Sequence, residues 1–150
     1  MKIIITGSAG FIGYHLANQL LKNKKNHVLG IDSLNNYYSK TIKNLRIKLL
    51  KKNENFLYKK IDLRIESKIK KIFKVFKPDL VYHIAGQPGV LYSFKNPKSY
   101  QLNNIDATKV VSSVSKKFKV KKFIFASSSS VYGDQKKFPI KENFKKNPQN

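Results

Sequence analysis

Thr6-Gly7-Ser8-Ala9-Gly10-Phe11-Ile12-Gly13 is the stretch that decides the fold. An apolar run, Lys2-Ile3-Ile4-Ile5, leads into it, and an amphipathic helical pattern from Phe11 to Leu21 leaves it. A strand, a glycine-rich turn and a helix in that order form a phosphate-binding unit. The three glycines have separate tasks. Gly7 permits a backbone conformation closed to other residues, Gly10 lets the main chain approach a pyrophosphate, and Gly13 lets the helix pack on the strand. The helix starting at Phe11 and Ile12 then points free N–H groups and its positive dipole end at the anion. A second apolar run, His27 to Ile31, ends in Asp32, near the spacing at which a carboxylate accepts the ribose hydroxyls of NAD. That carboxylate repels a 2′-phosphate, and the next residue is Ser33, with no arginine to neutralise one. NAD is favoured over NADP.

Working outward, apolar runs and helical patterns alternate to the end of the chain. Lys40 to Lys51 is helical, Asn55 to Lys60 a strand, Arg64 to Phe76 helical, Asp79 to Ile84 a strand, Pro97 to Phe118 helical, and Lys121 to Ser127 a strand. Five strands with four crossovers predict an α/β fold, a Rossmann-like doubly wound parallel sheet. Right-handed crossovers and a topological switch after the first strand give strand order 3-2-1-4-5, with the ligand at the carboxyl ends of the strands. Residues 1–133 form the dinucleotide-binding domain. Residues 134–150, with Pro139 and Pro148 and no helical pattern, read as loop.

At 150 residues and 41% hydrophobic content the chain is sized for one domain with a true core. It has no cysteine, which excludes disulfides and thiolate chemistry and suits a reducing compartment. Ile3 to Ile5 is too short for a signal-peptide core, and no run approaches the roughly 20 residues of a membrane span. A cytoplasmic protein without a membrane partner is expected. The net charge of +23 invites a nucleic-acid reading, but Arg46 and Arg64 are the only arginines and the lysines lie along the whole chain. Specific phosphate and base recognition favours the arginine fork, so the lysines read as solvated surface and no specific nucleic-acid partner is expected.

Taken together, these motifs resemble the extended short-chain dehydrogenase/reductases, in particular their nucleotide-sugar epimerase and dehydratase group. The glycine turn matches TGxxGxxG. Asp62-Leu63 matches the pair that contacts adenine, and His83-Ile84-Ala85-Gly86 the segment lying against the cofactor ribose. Asn104-Ile105-Asp106-Ala107-Thr108 resembles an N-x-x-G-T helix motif with Ala107 in place of glycine. Asp32 to Arg46 and Gln87 to Pro97 are similar to segments of UDP-glucuronate 4-epimerases, except that Leu91 stands where arginine is usual. The resemblance implies cofactor contacts from Asn35, Asp62, Leu63, Ala85, Gly86, Asn104 and Ala126, besides the turn and Asp32. It implies substrate contacts from Gln87, Ser129 and Ser130, a UDP-sugar as partner and a homodimeric parent enzyme.

The same resemblance assigns Ser128, three residues before Val131-Tyr132-Gly133, as the catalytic hydroxyl on the sugar oxygen that loses its proton. Dehydratases of the group place Asp and Glu right after that hydroxyl, and this chain has Ser129 and Ser130. Epimerisation or simple oxidoreduction is left. The tyrosine and the lysine four residues later that complete such a site are absent. Tyr132 and Lys136 have the spacing, but Gly133 interrupts them outside any helical pattern. The resemblance puts the missing tyrosine just beyond Asn150, as in an enzyme truncated after its fifth strand. His15, His27 and His83 lack ligand spacing, so no metal is expected. The rival readings are a dehydratase or reductase of the same group, a non-catalytic NAD-binding module and a basic nucleic-acid-binding protein.

Overall fold

The computed structural model describes residues 1–149. Its strands are β1 (Lys2–Thr6), β2 (His27–Asp32), β3 (Phe56–Lys60), β4 (Leu80–His83) and β5 (Lys122–Phe125). They form one parallel sheet in the order β3-β2-β1-β4-β5, as the crossover argument requires. Side chains alternate between the two faces of a strand, and here helices cover both faces, so nearly every residue of β1 is buried. Ile3 and Ile5 join Ala17, Val28, Ile47, Leu50 and Phe56 on one side. Ile4 joins Leu29, Ile31, Ile69, Phe73, Val81, Val111 and Val114 on the other.

The first face is covered by α1 (Phe11–Leu20) and α2 (Lys40–Leu50), the second by α3 (Glu66–Phe76) and α6 (Ala107–Lys117). Helix α3 begins two residues later than the Arg64 start expected from the pattern. Asp62 holds the preceding residues in a turn by accepting from the Arg64 amide at 3.0 Å through its side chain and from the Ile65 amide at 3.1 Å through its carbonyl.

The single helix expected from Pro97 to Phe118 is more elaborate. A short α4 (Val90–Lys95) precedes it, and α5 (Pro97–Tyr100) runs through a π-helical turn at Gln101–Asp106 into α6. Asn96 divides α4 from α5: its side chain accepts from the Ser99 amide at 3.2 Å, with Pro97 at the first helical position. Among the described residues no α-helix or strand follows β5. A 3-10 turn spans Ser129–Tyr132, and the tail folds back on it through the Asn147 amide, which donates to the Val131 carbonyl at 2.8 Å. Asn150, the last residue of the expected loop, lies outside the described residues.

Candidate dinucleotide and sugar site

The residues singled out from the sequence lie at or after the carboxyl ends of the five strands, except Asn104, which the π-helical turn supplies. The turn after β1 is held from below, where the Gly7 and Ser8 amides reach the Ile31 carbonyl at 2.8 and 3.4 Å. Gly7 has φ +72°, and a Cβ there would lie 2.8 Å from the Ala85 Cα, so conformation and space both require glycine. Gly13 is demanded by the turn itself: a Cβ there would overlap the Gly7 carbonyl oxygen, only 2.2 Å away. The atoms nearest such a Cβ belong to Gly7 and Ser8, so the helix presses on the turn. Gly10 caps α1 without a side-chain acceptor. The first amides of a helix have no internal carbonyl to bond, so those of Phe11 and Ile12, on exposed residues, are available to an anion.

Asp32, the residue expected at the ribose, organises the turn. Its Oδ2 accepts from the Ala9 amide at 3.1 Å and its Oδ1 from the Leu34 amide at 2.8 Å. Each oxygen keeps a further lone pair for a ribose hydroxyl. The Ala9 carbonyl is held from the other side by the Tyr38 hydroxyl at 3.3 Å and Arg46 Nη1 at 3.2 Å. An arginine therefore does reach the turn, from α2 rather than from position 33. Asn35 is fixed by Lys43, whose Nζ donates to its carbonyl at 2.9 Å and its Oδ1 at 2.8 Å. Lys43 is buried, with its ammonium 4.1 Å from the Tyr38 ring centroid, and burial lowers its pKa. Sequence reasoning missed it, although it lies on the buried α2 stripe with Ile47 and Leu50. A lysine on an apolar stripe was the available signal.

Asp62 pairs with Arg64 through its Oδ1 and Oδ2, with Nη2 2.5 Å from Oδ2. Those hydrogen bonds hold its carboxyl below the usual range. Leu63 is buried among the residues around Ile31 and Ile69.

The buried His83 proves central to the frame. Its Nδ1 lies 2.7 Å from the Thr6 hydroxyl and its Nε2 2.8 Å from the Thr108 hydroxyl. Thr108 donates to the Asn104 carbonyl at 2.6 Å, so it accepts from Nε2–H. Nδ1 is then the acceptor of the Thr6 proton, and the Thr6 oxygen accepts from the Ala85 amide at 3.2 Å. The imidazole is neutral, and burial pushes its pKa down to about 4. This chain of bonds ties β1, β4 and the helix after the π turn together directly beneath the site.

Asn104 clamps Gln87, accepting from its amide at 2.7 Å and donating to its carbonyl at 3.1 Å. In an α-helix neighbouring side chains point about 100° apart; the π turn brings the adjacent Asn103 to bear on the same residue, its Nδ2 3.3 Å from Gln87 Oε1. Ser99 donates to that oxygen at 2.6 Å. Gln87 is buried, and its Nε2 has no hydrogen-bond partner among the described residues. Gly86 lies beside Asn104, where an added Cβ would meet Oδ1 at an ordinary 3.7 Å.

On the far side Ala126 extends β5 by donating to the His83 carbonyl at 3.1 Å. Ser128, Ser129 and Ser130 are exposed, and the Ser128 hydroxyl accepts from the Ser130 amide at 3.2 Å. Ser128 thus caps the 3-10 turn with its hydroxyl on the surface. Among the described residues no group of three or more His, Asp or Glu could hold a metal, and no helix is long and apolar enough to cross a membrane.

Comparison with known proteins gives this arrangement its context. The profile of the family described as GDP-mannose 4,6 dehydratase matches residues 4–150. Protein CapI of Staphylococcus aureus is 44% identical over 133 residues, which are 89% of this chain and 39% of that protein. The UDP-glucuronate 4-epimerase of Thermodesulfobacterium geofontis is 41% identical over 142 residues, 95% of this chain and 43% of its own. The crystal structure of UDP-glucuronic acid 4-epimerase from Bacillus cereus, in complex with UDP-glucuronic acid and NAD, superposes with a TM-score of 0.91 at 38% identity. That superposition covers 99% of this chain and 46% of the epimerase. The chain thus spans less than half the length of the relatives it matches, and corresponds to their N-terminal part. With its profile match, its parallel sheet and its glycine turn in agreement, the chain belongs to the GDP-mannose 4,6 dehydratase family.

Proposed function

We propose that this chain is the NAD-binding part of a nucleotide-sugar 4-epimerase acting on a UDP-sugar, with UDP-glucuronate the leading candidate. The observation that carries the reading is the glycine turn with Asp32 seated on it, the free amides of α1 beside a carboxylate that has lone pairs to spare. The residues fit NAD: the turn has no side chain at Gly7, Gly10 or Gly13 to obstruct a pyrophosphate, and Asp32 opposes a 2′-phosphate. When bound, NAD would supply the acceptor, and then the donor, of a hydride at C4 of the sugar.

The chain's own residues bind and orient. Phe11 and Ile12 amides take the pyrophosphate, Asp32 and the loop at Asn35 the adenosine ribose, Asp62 and Leu63 the adenine, and Ala85, Gly86, Asn104 and Ala126 the second ribose and its ring. Gln87, Ser129 and Ser130 face the sugar. Ser128 turns its hydroxyl from the Ser130 amide to the O4 of the sugar, where it holds the proton being lost. Ser129 and Ser130 offer neither a carboxylic acid nor a carboxylate for removing water, so the reading favours epimerisation over the dehydration that names the family. The reading takes the base that accepts the O4 proton from the part of the epimerases that this chain does not match, and expects no turnover from the 150-residue chain by itself. The parent works as a homodimer in the cytoplasm.

A chimaera tests this. Residues 1–149 replace the corresponding part of the Bacillus cereus epimerase, and turnover of UDP-glucuronate is followed with NAD present. Recovered epimerisation supports the reading; a folded, NAD-loaded chimaera that dehydrates the sugar instead would move the assignment to the dehydratases.

A further inference from the structure

The loops after β2 and β4 flank the glycine turn after β1, because β1 lies between those strands in the sheet. These two loops touch. Tyr37 in the β2 loop donates its hydroxyl to the Pro88 carbonyl at 2.7 Å. The Tyr100 hydroxyl lies 2.7 Å from the same carbonyl and 2.6 Å from that of Gly89. Tyr92 fills the space between, its ring centroid 5.6 Å from that of Tyr37 and 6.3 Å from that of Tyr100. Gly89 makes room for the contact: at φ +100°, a Cβ there would lie 2.5 Å from the Tyr37 oxygen. The neighbouring Tyr38 bonds the Ala9 carbonyl of the glycine turn. Two consecutive tyrosines therefore fasten the β2 loop to the turn and to the loop carrying Gln87.

We infer that Tyr37 and Tyr100 are positioning residues that join the ribose loop to the sugar-facing loop across the dinucleotide crevice, so that NAD enters and leaves only when the Tyr37–Pro88 contact opens. The inference rests on the NAD reading above. The bridge fixes Pro88 and Gly89 from outside while Asn104 fixes Gln87 from inside, which holds the segment between the cofactor and the sugar in one register. Tyr37 has no part in the proposed chemistry. Its effect falls on exchange of the cofactor and on the mobility of residues 86–90.

The test compares Tyr37→Phe, which removes one hydroxyl and keeps the ring, with Tyr92→Phe, whose hydroxyl has no contact with Pro88. NAD release from the purified chain is timed by NMR exchange or stopped-flow displacement, and amide hydrogen exchange of residues 86–90 is recorded without cofactor. A lost neutral hydrogen bond corresponds to about a two- to tenfold faster release in Tyr37→Phe. Hydrogen exchange at Gly89 and Val90 rises in parallel, and Tyr92→Phe stays at the wild-type rate. Gly89→Ala, which crowds the same hydroxyl, reproduces the Tyr37→Phe behaviour. Wild-type release rates in a folded Tyr37→Phe protein, or equal acceleration in Tyr92→Phe, overturn the inference and leave the NAD reading standing. A folded wild-type chain to which NAD does not bind overturns both.

Discussion

Lowering the pH from 7 to 5 is predicted to destabilise the fold through one residue, His83. The imidazole is fully buried, and burial pushes its pKa from the ordinary 6.5 to about 4. Well above 6.5 neither the folded nor the unfolded chain protonates it, so it gives no pH dependence there. As the pH falls through 6.5 the unfolded chain takes up a proton that the folded chain refuses, and stability falls. The slope approaches about 1.4 kcal/mol per pH unit until the folded imidazole protonates in turn near pH 4. Integrated from pH 7 to pH 5 the loss is about 2 kcal/mol, a sizeable part of a typical domain's stability. The window is favourable because His15 and His27 are exposed and carboxylates titrate mainly below it. The assay is urea unfolding at constant salt across that range, for the wild type and for His83→Gln. The variant is less stable at pH 7, since it breaks the bonds to Thr6 and Thr108, but its stability is flat between pH 7 and 5. A wild type with no slope, or a variant with the wild-type slope, refutes the buried neutral imidazole.

Asp32→Ala removes a carboxylate that orders the Ala9 and Leu34 amides and that is proposed to accept from the ribose. NAD affinity should fall by roughly ten- to a hundredfold, the value of one charge-assisted hydrogen bond, with a smaller loss for NADP because Arg46 remains beside the turn; equal losses measured by calorimetry would make Asp32 purely structural. Gly13→Ala drives a Cβ to 2.2 Å from the Gly7 carbonyl, so the turn must move; NAD binding is lost, and a variant binding NAD like wild type would show that the helix packs differently. In the chimaera, Ser128→Ala lowers kcat by about ten- to a thousandfold with NAD binding nearly unchanged; a greater fall in kcat for Ser130→Ala would shift the catalytic register by two residues.

Much of this architecture is legible in the sequence because its signals are local. β1, the glycine turn and α1 announce themselves by period and composition, and the crossover rule then orders the strands without any long-range contact being known. The site is less legible where it depends on contacts between distant segments. Asp32 is found by its spacing from the turn, but its bonds to Ala9 and Leu34 follow from how the β2 loop closes. Lys43 and Arg46 sit about one and two helical turns into α2, among many other basic residues, and only packing shows that they face the β2 loop and the glycine turn. The π-helical turn leaves no mark in the hydrophobic pattern, which is continuous from Pro97 to Phe118. His83 reads as an ordinary strand-end residue because its partners, Thr6 and Thr108, are 77 and 25 positions away.

Titrating the isotopically labelled chain with NAD and following each backbone amide by NMR tests the central claim most directly, since it registers even millimolar binding by a chain that spans less than half the length of its relatives. The account predicts saturable shifts at Phe11, Ile12 and Gly13, at Leu34 beside Asp32, and at Ala85 and Gly86, with NADP producing the same pattern more weakly. A well-dispersed, folded spectrum that stays unchanged with NAD, or whose shifts lie only on the lysine-rich surface away from the glycine turn, would contradict it.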